Sequence, residues 1–332
     1  MANRGTRIAV TGSIAVDHLL TFPGRFTEQL VPDRLDRISL SFLCDRLETR
    51  RGGVAANIAL GLGRLGLSPL LVGAVGSDFA DYQVWLKQNG VDTDSVLVVP
   101  GGHTARFVCT TDADQNQIGA FHPGAMGAAC TISLREVRRR AGRLDLVMVS
   151  PNDPAAMLRH TEECRATGLP FVADPSQQIA RMGAADVRYL LAEARWLFTN
   201  AYESSLLREC TGWTARRILD RVGTWVTTRG ADGVLIERSG EEPLVVPAVP
   251  DATAVEPTGA GDALRAGMLA GLVRGVPVVA AARLGCALAS FALEAVGTQE
   301  YAVSARSLAA RVRDAYGERA PAELAPVLGG MP

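Results

Sequence analysis

Lysine is almost absent from this chain: Lys87 is the one lysine, and every other strongly basic residue is arginine. No GxxxxGK[ST] loop exists, which excludes a P-loop nucleotide site. Schiff-base chemistry would have to use Lys87, and nothing in DYQVWLKQNGV marks a special setting for it. Histidine is scarce too, at four residues without HExxH-type spacing, and the six cysteines form no CxxC pair. Neither a zinc site nor a disulfide framework is indicated. No apolar run approaches the ~18 residues of a membrane span. The short apolar run in MANRGTRIAVTG ends at Gly12, with Asp17 soon after, so no signal peptide is expected. A formal net charge of −1 argues against a general nucleic-acid or membrane-surface binder. The expectation is a soluble, cytoplasmic protein.

What is present is a chain of 332 residues, 48% hydrophobic, enough for a sizeable core and more than one average domain. Short apolar runs recur: RIAVTG, LLVGAV at 70–75, LDLVMVS at 144–150, PFVADP at 170–175, RWLFTN at 195–200 and TWVTTRG at 224–230. Helical patterns lie between several of them, as at 154–168 and 186–194. This alternation predicts an α/β fold whose mostly parallel sheet is covered on both faces. The part after Gly259 reads as helices. Two regions break the rhythm. Residues 18–52 carry short pieces such as RISLSFLC and a highly charged tail, DRLETRR. Residues 103–123 read as a β-hairpin around Asp112–Asn116. Together they are expected to form a small sheet, a lid over a core of residues 1–17, 53–102 and 124–332.

Ligands of open α/β sheets bind at the carboxyl ends of the strands. Asp17, Asp174, Asn200, Thr227 and Thr228 stand at such ends, although each alone suits a cap or turn. Asn200 and Glu203 form NAYE. Such oxygen ligands suit Mg²⁺, but the spacing alone favours a helix-capping box. In RGGVAAN, Gly52 and Gly53 would allow close approach to backbone, and Asn57 could bind a sugar hydroxyl. GLGRLG at 61–66 matches GxGxxG formally, yet it follows a helical pattern rather than a strand, so a dinucleotide site is rejected. In TTRGADG, Thr228 and the glycines could hold a nucleotide phosphate with Arg229 as helper; a plain hairpin turn is the equal alternative. EPTGAGDALRAG carries the strongest signal. N–H groups of Gly259, Ala260 and Gly261 at a helix start would hold a phosphoryl group. Asp262 would then take the proton of a hydroxyl attacking that phosphate.

The GG…N, NxxE and TGAGD segments occur in the order seen in ribokinase-like (PfkB) carbohydrate and nucleoside kinases, and the resemblance covers essentially the whole chain. Within that family the chain resembles bacterial adenosine kinases, in TGSIAVDHL, SLSFL, RGGVAAN, HTARF, HPGAM, ADPSQQIAR and GTQE. The resemblance implies a ribokinase-like, Rossmann-type three-layer core with a β-sheet lid, and lid-to-lid homodimers. It implies that Asp17 and Asn57 bind ribose, with Ser13, Ser41 and Gly53 beside them, and that Phe107 and Phe121 meet adenine. Arg181 would reach the substrate. Asn200 and Glu203 would organise Mg²⁺ and ATP phosphates, which reverses the reading from spacing alone. Thr228, Arg229, Gly230, Ala231, Asp232 and Gly233 would line the ATP site. Gly259–Gly261 would be the anion hole and Asp262 the base. A monovalent cation such as K⁺ is left open. Glu256 and Leu264 depart from the family's usual Asp and Phe, but neither is the base nor in the anion hole. The implied reaction is γ-phosphoryl transfer from ATP to the 5′-hydroxyl of adenosine. The alternatives are a ribose or fructose kinase of the same family, and a nucleoside sensor without catalysis, which the intact TGAGD disfavours.

Overall fold

A computed structural model describes residues 6–29, 41–114, 116–255 and 257–332. The chain opens with strands β1 (Ile8–Thr11) and β2 (Ala15–Thr21), a short helix α1 (Phe26–Gln29), and β3 (Arg46–Gly52). Helix α2 (Val54–Arg64), β4 (Leu70–Gly76), α3 (Ala80–Gln88) and β5 (Asp92–Val99) follow. Next come the hairpin β6 (Ala105–Thr111) and β7 (Gln117–His122), then α4 (Leu134–Ala141), β8 (Leu146–Val149) and α5 (Pro154–Ala166). The chain continues through β9 (Phe171–Ala173), α6 (Ala184–Leu191), β10 (Trp196–Asn200), α7 (Ala201–Thr211), α8 (Ala215–Leu219), β11 (Trp225–Thr228), β12 (Val234–Glu237) and β13 (Leu244–Val246). It closes with helices α9 (Ala260–Val273), α10 (Val278–Leu293), α11 (Ala305–Tyr316), α12 (Ala320–Glu323) and α13 (Ala325–Leu328).

Among the described residues the large sheet has nine strands in the order β13-β12-β11-β10-β9-β8-β1-β4-β5. The seven from β11 to β5 run parallel, and β12 and β13 add an antiparallel edge. The strand order reverses between β1 and β8, the place where open α/β sheets leave a crevice. Side-chain alternation explains the three layers. Ile8, Val10, Met148, Val172, Phe198 and Val226 face one apolar core with α2, α9 and α10. Ala9, Val147, Val149, Phe171, Leu197 and Trp225 face the other, with α4, α5, α6 and α7. Successive residues point to opposite faces and both faces are covered, so the strands read as unbroken apolar runs.

The second sheet has the order β3-β2-β6-β7. Three details differ from expectation. β2 begins at Ala15 rather than 18, because the chain leaves the large sheet at Gly12–Ile14 and pairs at once with Gly52 and Ala105. Asp17 therefore belongs to the small sheet. The charged DRLETRR is a strand, not a tail: Glu48 bridges to Arg46 and Arg50, so its charges pair along one face. Of the proposed strand RISLSFLC, residues 37–40 lie outside the described residues, as does Glu256, and Ser41–Cys44 form no strand. Phe42 instead packs on Phe22 and Phe26 at the far end of the small sheet.

Candidate active site

The register of the small sheet sets one wall. Asp17 lies opposite Phe107, and Phe107 opposite Phe121, so all three project from one face in one row. Gly52 makes room there: a Cβ on it would stand 2.5 Å from Asp17 Oδ2. Gly53 has φ +95°, and a Cβ would meet Ala15 N at 2.6 Å and Ile14 Cα at 2.7 Å. Only glycine fits where the small sheet hands the chain back to α2. The Ser13 hydroxyl accepts from Val54 N at 3.0 Å and so caps that helix.

Opposite this wall, α9 starts at Ala260 after Gly259, which has φ +83°. A side chain on Gly259 would collide with Thr298, and one on Gly261 with the Arg265 guanidinium, at 2.8 Å in each case. Ala260 N donates to Pro257 O at 3.3 Å, and a helix start leaves first-turn N–H groups without a helix carbonyl, a geometry that suits an anion. Asp262 stands in that turn. Asn57 Nδ2 donates to its Oδ2 at 2.9 Å, and Arg265 Nη1 lies 4.0 Å from Oδ1. Burial raises its pKa, the Glu203 carboxylate adds to the rise, and Arg265 and Asn57 oppose it. A carboxylate with a raised pKa is a stronger base near neutrality.

The buried Arg265 also donates to Asp174 Oδ1 at 2.8 Å. One guanidinium thus faces three acids: Asp174, Asp262 and Glu203. Burial pushes Asp174 up to about 7, against the pull of Arg265.

A cavity of about 370 Å³ joins these walls. Of the expected substrate residues it brings together Ser13, Asp17, Gly53, Asn57, Phe107, Phe121, Arg181 and Asp262. Ser41 is not among them: it is exposed, held at the distal end of the sheet by its neighbour Phe42. The cavity adds Met126, Gln177, Gln178, Thr258 and Thr298, to which sequence reasoning gave no role. Their signal was present, since HPGAM, ADPSQQIAR and GTQE resemble the family. Arg265 was also missed; it is the one charged side chain among the buried residues of α9. Gln178 Nε2 donates to Asn152 O at 2.8 Å, while its Oε1 has no hydrogen-bond partner.

The residues expected to hold the nucleotide stand at strand ends, outside the lining of this cavity. Asn200 and Thr228 are register partners on β10 and β11. Thr228–Gly233 form the turn between β11 and β12, and Gly233 at φ +80° closes it against Val246 O. Asn200 and Glu203 form a complete capping box: Asn200 Oδ1 accepts from Glu203 N at 2.8 Å, and Glu203 Oε2 from Asn200 N at 2.7 Å. Glu203 Oε1 accepts from Ser176 Oγ at 2.8 Å. Among the described residues no three His, Cys, Asp or Glu side chains group as a metal site. This donor set does not make an all-protein site. It fits Mg²⁺ that arrives on phosphate oxygens and keeps several waters. GLGRLG ends α2 and the turn after it, and its glycines allow close packing, Gly61 against Ala266 and Gly63 against Asn89 O. It is no dinucleotide turn.

The family description "pfkB family carbohydrate kinase" matches residues 11–305. The chain belongs to the pfkB family. As a pfkB kinase it is a phosphotransferase that acts on a hydroxyl group. It is 30% identical to a nucleoside kinase of Methanothermobacter thermautotrophicus over 80% of this chain and 86% of that one. The nucleoside kinase of Burkholderia thailandensis in complex with inosine superposes with a TM-score of 0.83 at 34% identity, covering 94% of this chain and 98% of that one. The same enzyme with ADP and inosine gives 0.81 at 35%, covering 94% and 96%. These matches carry the ribokinase-like fold and a kinase of nucleosides or sugars. Among the described residues no helix is long and apolar enough to cross a membrane.

Proposed function

We propose that this chain is an adenosine kinase, transferring the γ-phosphoryl group of ATP to the 5′-hydroxyl of adenosine and releasing AMP and ADP. The observation that carries it is one cavity lined both by Asp262, in the first turn of α9, and by the Phe107–Phe121 pair. That is the layout for a reactive hydroxyl joined through a sugar to a flat base. Asp17 and Asn57 hold the ribose hydroxyls. The aromatic pair takes the adenine faces, and Gln178 Oε1 offers an acceptor to a base N–H. Asp262 takes the proton from O5′ as that oxygen attacks the γ-phosphorus. The β–γ bridging oxygen leaves with ADP, and the first-turn N–H groups of α9 hold the charge in flight.

ATP lies toward Thr228–Gly233, where Thr228, Gly230, Ala231 and Asp232 form an open turn and Arg229 supplies charge. Mg²⁺ would neutralise phosphate charge, with Glu203 and Asn200 reached through water. The small sheet acts as the lid that excludes water from the cavity. Its outer face exposes Leu47 at 62%, Ile118 at 50% and Val108 at 39%, three apolar side chains suited to a lid-to-lid homodimer. A broader purine-nucleoside range is the second reading, since the Burkholderia relative holds inosine. Phosphorylation across adenosine, guanosine, inosine and ribose decides. A kcat/KM for ribose or fructose above that for adenosine would overturn the assignment.

A further inference from the structure

A chain of hydrogen bonds, buried through its middle, runs behind Asp262, and its direction is fixed from the far end. It starts at the Trp85 indole on α3, whose N–H can only donate. Trp85 Nε1 donates to Gln299 Oε1 at 3.1 Å, which forces the Gln299 amide to turn its Nε2 inward. That Nε2 donates to Asn57 Oδ1 at 2.9 Å and to the Tyr82 hydroxyl, which itself donates to Gly52 O at 2.9 Å. Thr298 Oγ1 lies 3.0 Å from the same Asn57 Oδ1. With Oδ1 claimed on that side, Asn57 has only its Nδ2 to turn toward Asp262, and it does so at 2.9 Å. Every polar atom of the Gln299 amide is satisfied, and the residue is fully buried. The start of the chain is held as well. Arg51 and Arg64 flank the Trp85 ring at 4.9 and 5.9 Å, and Arg64 Nη2 donates to Gln299 O at 2.9 Å.

An Asn amide can present either a donor or an acceptor by rotating half a turn. Toward a base the difference is decisive: a donor favours the carboxylate, and a carbonyl oxygen would repel it. We propose that Trp85 and Gln299 are positioning residues that lock the Asn57 amide with its N–H on Asp262, keeping the base charged and aimed. This rests on Asp262 being the base. The other charged or titratable groups around Asp262 are Arg265 on its own helix, Asp174 after β9, Glu203 on α7, Tyr301 after α10, and Asp17 on β2 and Arg181, which line the same cavity. None of them touches the Asn57 amide in the hydrogen bonds above. The relay also ties Asp262 to the small sheet, because Tyr82 binds the carbonyl of Gly52, the last residue of β3.

The test uses Trp85→Phe and Gln299→Met, which keep bulk and remove the directing groups, and Gln299→Glu, which removes the donor. Each is measured for kcat against pH, for the KM of ATP and for thermal stability, beside Asp262→Asn. The expected result is a kcat about tenfold lower at neutral pH for Trp85→Phe and Gln299→Met, with more loss for Gln299→Glu. The acid limb of the kcat profile moves to higher pH and the KM for ATP stays within about twofold, so that raising the pH recovers part of the activity. A Gln299→Glu chain that fails to fold leaves the other two to decide. If Asp262→Asn is inactive while both keep the wild-type acid limb, the relay is overturned and the base stands; a fall in kcat without movement of the limb overturns it equally. If Asp262→Asn itself retains turnover, the reading of the base fails first.

Discussion

Arg265→Met removes the one guanidinium that serves three acids, the buried Asp174 and Glu203 and the partly buried Asp262. At the observed 4.0 Å between Arg265 Nη1 and Asp262 Oδ1, and at an effective dielectric of about 20, the lost attraction is roughly 4 kcal/mol. That corresponds to about a thousandfold in the protonation equilibrium of Asp262. Its pKa is already raised by burial, so further loss of positive charge pushes it up again and shifts the base toward its protonated form. Turnover should collapse near neutrality and recover toward alkaline pH, as followed by ADP release. Stability should fall too, by about 3–5 kcal/mol, because Asp174 loses its buried partner. Denaturant unfolding separates the two effects. The double variant Asp174→Asn/Arg265→Met, with both charges gone, should regain most of the stability and none of the turnover. A wild-type acid limb in Arg265→Met would refute the reasoning, because charge at 4.0 Å would then not reach the base.

Asp262→Asn should lower kcat by about 10²–10⁴-fold while nucleoside affinity by calorimetry stays near wild type; near-normal turnover would remove Asp262 from its role. Phe121 is 44% exposed, so Phe121→Ala should leave the melting temperature unchanged. The nucleoside KM should nevertheless rise by the worth of a stacked base, about 1–3 kcal/mol, and an unchanged KM would place the base elsewhere. Gly53→Ala must fit a methyl group 2.6 Å from Ala15 N at φ +95°, so a loss of roughly 1–3 kcal/mol from backbone strain is the minimum expected. Asp174 has its native pKa raised from the ordinary 3.8 to about 7, so the native state holds the proton more tightly than the unfolded chain. Its stabilising contribution is complete below 3.8 and is lost as pH climbs through about 7. Unfolding free energies across that window should fall with pH, and Asp174→Asn should flatten the slope.

The layered core was legible because strands buried on both faces read as apolar runs, and PFVADP or RWLFTN can hardly be anything else. The small sheet was legible only in part. DRLETRR hides its strand because its charges are neutralised along one face by Arg46–Glu48–Arg50 pairing, which composition cannot show. The residues expected to bind substrate line one cavity, apart from Ser41, whereas Gly259–Gly261, Asn200, Glu203 and Thr228–Gly233 are not in its lining. NAYE makes the capping box that spacing alone favoured. What sequence could not supply was contact across distance. Gln299 and Trp85 are 214 positions apart, and Arg265 and Asp174 are 91 apart. Such pairs have no local pattern, and each looks ordinary until the fold brings its partner.

The strands that are apolar on both faces raise a question of register. A strand with one wet face cannot slip by a residue without pointing oily side chains into water. β8, β9, β10 and β11 have no such face to guard. Their polar ends do the work instead. Asp174, Asn200 and Thr228 stand where the layers stop, and a slide toward the core would draw a carboxyl, an amide or a hydroxyl between two oily slabs. Just inside, the Trp225 indole donates to Thr199 Oγ1 at 2.9 Å and pins β11 to β10 from within. The edge proposed to face the ligand is therefore also the stop that tells each strand how far to go. Selection for chemistry at that edge and selection for correct assembly act on the same few side chains.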